Sequence, residues 1–132
     1  MFIKLDLESN EPIYIQLVHQ IIAGIAKKDL EPGDRLPSVR SLASDIGINL
    51  HTVNKAYQLL KQDGLILIHR QKGVVVNPEG IPQADEAYRK QLNDSLHPLI
   101  AKSVCRGLDE EEFLHMCSRL FKEFYDRKEE EK

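Results

Sequence analysis

The sequence predicts a mainly α fold with a small β-hairpin, a winged helix-turn-helix domain followed by a two-helix dimerisation tail. Three observations predict it. Two short amphipathic segments meet at a glycine between Leu36 and Gly64. The apolar period then changes from helical to two aliphatic runs around a basic turn. Beyond a stretch rich in proline and glycine, two further amphipathic segments complete the chain. Residues 1–77 are the expected winged domain, 78–83 a linker and 84–132 the helical region.

Taken in order, residues 2–9 (FIKLDLES) alternate apolar and polar side chains, as a strand or an extended arm would. A helix opens at Asn10 or Glu11 with Pro12 in its first turn, where a missing N–H costs nothing. Tyr14, Leu17, Val18, Ile21 and Ile25 form its apolar stripe, and it closes near Lys28. Leu30-Glu31-Pro32-Gly33-Asp34 is a turn cluster. In the next helix Val39, Leu42, Ala43 and Ile46 fall at i, i+3, i+4 and i+7, with Ser38 as its cap and Gly47 as its stop. Asn49 caps the following helix, where Val53, Ala56, Tyr57 and Leu60 repeat the spacing until Asp63-Gly64 supplies a left-handed exit. LILIH, Arg70-Gln71-Lys72-Gly73 and VVVN then read as a hairpin with a basic tip, the wing.

In the tail, Tyr88, Leu92, Leu96, Leu99 and Ile100 share one helical face from about Ala84 onward, and Pro98 predicts a kink or break near Asp94–His97. A second helix starts at Asp109, which with Glu112 makes a pair of the capping-box type. Phe113, Met116, Cys117, Leu120, Phe121 and Phe124 are its stripe. Two such helices have more apolar surface than they can bury on each other, so a second copy is the expected partner. Leu92, Leu96, Leu99, Leu120, Phe121 and Phe124 are the expected dimer contacts.

Composition narrows the function. The 132 residues are 42% hydrophobic, ordinary for a globular chain, and no apolar run approaches the ~20 residues of a membrane span. A cytoplasmic protein without membrane contact is expected. The net charge of −3 is unevenly spread: residues 1–78 carry +1 and 79–132 carry −4. Within 35–72, Arg35, Arg40, Lys55, Lys61, Arg70 and Lys72 face only Asp45 and Asp63. A basic face thus sits where the helix-turn-helix lies, which suits double-stranded DNA. With the core stripe of the second helix of the pair assigned, His51, Thr52, Asn54, Lys55 and Gln58 remain outside, types that contact bases and phosphates in a major groove. A winged helix can also serve as a protein-interaction module without DNA readout. The basic balance of this one favours DNA.

Other chemistry finds no support. His97, Cys105, His115 and Cys117 share no metal-ligand spacing, and the two cysteines, too few for a disulfide framework, read as buried thiols. His19 reads as an amphipathic-face residue and His69 as a strand-end residue. No phosphate loop, nucleophile elbow or paired acidic site appears. The expectation is no enzyme, no metal and no cofactor.

EPIYIQLVHQIIAGI, LEPGDRLPSVRSLASDIGINLHTVNKAYQLLKQDGLI and the hairpin to Val76 resemble the DNA-binding domain of GntR-family bacterial transcription regulators. The resemblance covers residues 11–77, and its most specific blocks are PGDRLPSVRSLA and G-I-N-x-x-T-V-x-x-A-Y. It implies that Arg40, Asn49, His51, Thr52 and Lys55 contact DNA, together with Arg70, Lys72 and Gly73 in the wing. Leu50 stands where many members carry a polar or basic residue, and Gln71 where a wing-tip glycine is common. So short a helical tail is similar to the YtrA-like branch, in which the tail dimerises. The resemblance therefore implies a homodimeric repressor on a pseudo-palindromic operator, without the large effector domain of longer members.

Overall fold

The computed structural model describes residues 3–130, with side chains as far as Tyr125. Phe2, the first residue of the expected arm, lies outside the described residues. The chain packs as two units divided between Pro82 and Gln83.

The first unit holds α1 (Ile13–Ala26), β1 (Arg35–Leu36), α2 (Val39–Ile46), α3 (Leu50–Gln62), β2 (Ile66–His69) and β3 (Gly73–Val76). Its core collects one stripe from each helix and one face of the sheet. Leu17 and Ile21 of α1, Val53, Ala56, Tyr57 and Leu60 of α3, Ile66 of β2 and Val76 of β3 are all fully buried. These are the apolar positions that helical spacing selects, so the three helices are held by one shared interior rather than by their own propensities.

The expected hairpin has a third strand. β3 pairs antiparallel with β2 (Ile66↔Val76, His69↔Gly73) and, on its other edge, with β1 (Arg35↔Val75, Leu36↔Val74). Val76 N–H donates to Asp34 O at 2.8 Å and Gly33 N–H to Val76 O at 2.9 Å, extending the pairing into the Pro-Gly turn. The wing is thereby tied to the segment that enters α2 two residues later.

Residues 3–9 form no strand. Their backbone is gripped instead by two carboxamides one turn apart on α1. Gln16 accepts from Asp6 N–H at 2.8 Å and donates to Asp6 O at 2.9 Å. Gln20 accepts from Lys4 N–H at 2.7 Å and donates to Lys4 O. Each side-chain amide meets a residue at two points, as a neighbouring strand would, while Ile3 packs against the core.

Residues 77–82 pack on this unit. Asn77 donates from Nδ2 to Gly64 O at 2.9 Å and from its own N–H to Leu65 O at 3.0 Å, and Ile81 lies against the core.

The second unit consists of α4 (Glu86–Cys105) and α5 (Glu110–Glu130). Asp85 caps α4 by accepting from Tyr88 N–H, and Asp109 caps α5 by accepting from Glu112 N–H, both at 2.8 Å. Between them Gly107, with φ of 86°, closes a Schellman turn in which Leu108 N–H donates to Ser103 O. Of the kink or break expected near Asp94–His97, the break does not occur: α4 runs unbroken through Pro98. No residue of α4 is buried, so water can satisfy the Asp94 carbonyl that proline leaves without a donor.

The cysteines also depart from expectation. Cys105 is exposed and Cys117 half-buried, both as free thiols. The reason is the one that leaves Leu92, Leu99, Leu120 and Phe121 exposed and Leu96 and Phe124 half-buried: among the described residues nothing closes over these faces.

Candidate nucleic-acid interface

The helix-turn-helix is set by local signals. Ser38 Oγ accepts from Ser41 N–H at 3.0 Å, which starts α2 and puts Arg40 in its exposed first turn. Gly47 ends the helix with φ of 69°, a left-handed conformation that side chains resist. Asn49 then starts α3, its Oδ1 accepting from His51 N–H at 2.7 Å. The acceptor of Asn49 is thus committed to the cap, and its Nδ2 group is what remains for a partner.

On α3 the buried side chains centre on Leu60 and Val53, and at 100° per residue His51, Asn54, Lys55 and Gln58 lie on the opposite face. All four are exposed, while Thr52 is half-buried at the shoulder of that face. Tyr57 anchors the helix from beneath. It is fully buried, its hydroxyl donates to Pro37 O at 2.7 Å, and burial pushes that hydroxyl well above the ordinary phenol range. This bond ties α3 to the residue that leads into α2, so it sets how the two helices meet.

Sequence reasoning missed two residues here. Tyr14, assigned to the core stripe, is half-buried and carries the Lys55 ammonium 4.0 Å above its ring centroid. His69, assigned as a strand end, shapes the wing: its Nδ1 accepts from Gln71 N–H at 3.2 Å and Lys72 N–H at 3.3 Å. A side-chain acceptor two residues before a turn amide is the signal that could have found it. Arg70, Lys72 and Gly73 are exposed around that turn, and Gly73 closes it with φ of 75°.

Among the described residues, Arg40, Lys55, Arg70 and Lys72 form no ion pair with a carboxylate. Their charge is available to a polyanion. No group of three His, Cys, Asp or Glu side chains capable of holding a metal occurs among these residues. No described helix is long and apolar enough to cross a membrane.

Three helices, a Gly47 turn and a three-stranded sheet with a basic tip define a winged helix-turn-helix DNA-binding protein. Residues 13–76 match the model for bacterial regulatory proteins of the gntR family. The chain is 34% identical to the HTH-type transcriptional repressor YtrA of Bacillus subtilis (strain 168) over 81% of its length and 82% of that protein. It is similar to the structure of YtrA from Sulfolobus acidocaldarius, a GntR-family transcription factor, at 44% identity and a TM-score of 0.61 over 75% of this chain and 97% of that one. A Listeria monocytogenes EGD-e structure described as a transcriptional antiterminator has a TM-score of 0.86 at 28% identity, over 94% of this chain and 92% of that one. The chain belongs to the GntR family: it is a transcription regulator with a DNA-binding helix-turn-helix, and not an enzyme.

Proposed function

We propose that this regulator is a homodimeric repressor that occupies a pseudo-palindromic operator, with α3 of each copy in a major groove. The observation that carries the reading is the division of α3, whose one face is spent on the core while the other offers His51, Asn54 and Lys55, with Arg40 exposed in the first turn of α2. In this reading Arg40, Asn49, His51, Thr52, Asn54 and Lys55 contact base edges and phosphates, and Arg70, Lys72 and Gly73 of the wing follow the backbone or minor groove. Repression is inferred from the name of the Bacillus subtilis relative. A second copy is inferred from the uncovered apolar faces of α4 and α5, because two half-sites a helical turn apart call for two recognition helices.

Affinity selection from random duplex gives the operator, and titration of variants against it tests the roles. Arg40→Ala should cost about 1–3 kcal/mol and relax one operator position if Arg40 reads a guanine. Lys72→Ala should weaken selected and random duplex by similar factors and lower the salt slope by about one. Unchanged affinity and selectivity in both variants would remove this interface from the reading.

A further inference from the structure

We infer that Tyr14 is a positioning residue for DNA binding: its ring holds the Lys55 ammonium at a fixed place without neutralising it. The inference rests on the reading of α3 as the DNA-facing helix. Lys55 lies in mid-α3 on the exposed face, and Tyr14 is the second residue of α1. The two meet because α1 and α3 pack together over the core, and Nζ stands 4.0 Å from the ring centroid.

The nature of the partner matters. A lysine on an exposed helix face is long and rotatable, and fixing it on binding DNA costs conformational entropy. A carboxylate would fix it beforehand but cancel the charge that attracts a phosphate. An aromatic face attracts the cation through its quadrupole and leaves the full positive charge in place. It also spends none of the three N–H donors on an acceptor oxygen. Among the described residues Lys55 makes no ion pair, and its ammonium rests on the Tyr14 ring. Lys55 is therefore preorganised and still fully able to bind an anionic oxygen of the DNA backbone.

The test compares the full chain with Tyr14→Phe, Tyr14→Leu, Lys55→Ala and the double variant Tyr14→Leu/Lys55→Ala on a duplex selected by the unaltered chain. Tyr14→Phe keeps the ring face and should bind like the parent. Tyr14→Leu keeps an apolar body in the half-buried site but has no quadrupole, and should bind about two- to fivefold more weakly. The double variant should bind no more weakly than Lys55→Ala, because the ring acts through the lysine. In the free protein, the Lys55 ε-methylene protons should be shifted upfield by the ring in the parent and Tyr14→Phe, and not in Tyr14→Leu. A merely structural tyrosine would instead show losses that add to those of Lys55→Ala, which overturns the inference. Equal losses in Tyr14→Phe and Tyr14→Leu also overturn it, by making the hydroxyl the contact. If Lys55→Ala itself binds like the parent, the assignment of Lys55 to the DNA face falls, and the inference with it.

Discussion

The two units of this chain are built from the same kind of helix and end in opposite states. α1, α2 and α3 carry apolar stripes at helical spacing, and the stripes meet in one closed core where Tyr57, Leu17, Ile21 and Leu60 are inaccessible. α5 carries a stripe of comparable quality and α4 a weaker one, yet Leu99 remains 56% exposed, Leu120 55% and Phe121 60%. Amphipathic spacing thus specifies which face seeks burial and says nothing of where the covering surface comes from. In the first unit that surface lies within the same chain, brought by a two-residue strand and three short turns. In the second no described residue supplies it, which is the physical ground for proposing another copy.

The sharpest way to break this contrast is to separate the units. The fragment ending at Pro82 keeps Ile81 on the core, and it should fold as a monomer whose affinity for a two-half-site operator falls by roughly 10²–10⁴, because tethering of the second recognition helix is lost. Sedimentation together with operator titration checks this. A fragment that dimerises and binds tightly would move the dimer contact into the first unit.

A smaller effect separates the two kinds of stripe. Leu60→Ala empties a fully buried site and should lower unfolding stability by about 2–5 kcal/mol. Leu99→Ala should change stability by less than ~0.5 kcal/mol at dilutions where the chain is monomeric, and by more where it is a dimer. Denaturant melts at two concentrations compare them.

The smallest effect concerns the hydroxyl beneath α3. Tyr57→Phe removes the bond to Pro37 O and should cost about 1 kcal/mol. Because burial raises the folded-state pKa of Tyr57, the unfolded chain loses that proton first, at the ordinary phenol value of about 10. Stability of the parent should therefore be constant in this respect below pH ~10 and fall as pH rises beyond it. Melts across that range should show a shallower alkaline decline in Tyr57→Phe.

What the sequence made legible follows from the range of the interactions. Ser38, Gly47, Asn49, Gly64 and Asp109 were readable as helix boundaries because a cap is satisfied within three or four residues of itself. β1 was not readable: two residues carry no period, and their strand geometry is imposed by Val74 and Val75 from some 40 positions away. Nor was the grip of Gln16 and Gln20 on the arm, since a carboxamide bonded to distant backbone leaves no pattern. The outer face of α3 could be found by subtraction once its core stripe was assigned. The ring of Tyr14 under Lys55 could not, because that contact depends on how α1 crosses α3.

The grip on the arm also bears on how the chain can diverge. Gln16 and Gln20 hold the amides and carbonyls of Asp6 and Lys4 and touch neither side chain in doing so. The attachment is consequently blind to what is written at positions 4 and 6. Position 4 could vary freely and keep the arm in place, whereas Asp6 also holds the turn that follows, its Oδ1 accepting from Glu8 N–H at 3.0 Å. Proline is forbidden at both because it removes the donor each glutamine requires. Loss of either glutamine would do the reverse, weakening the hold on an arm whose own letters are all intact.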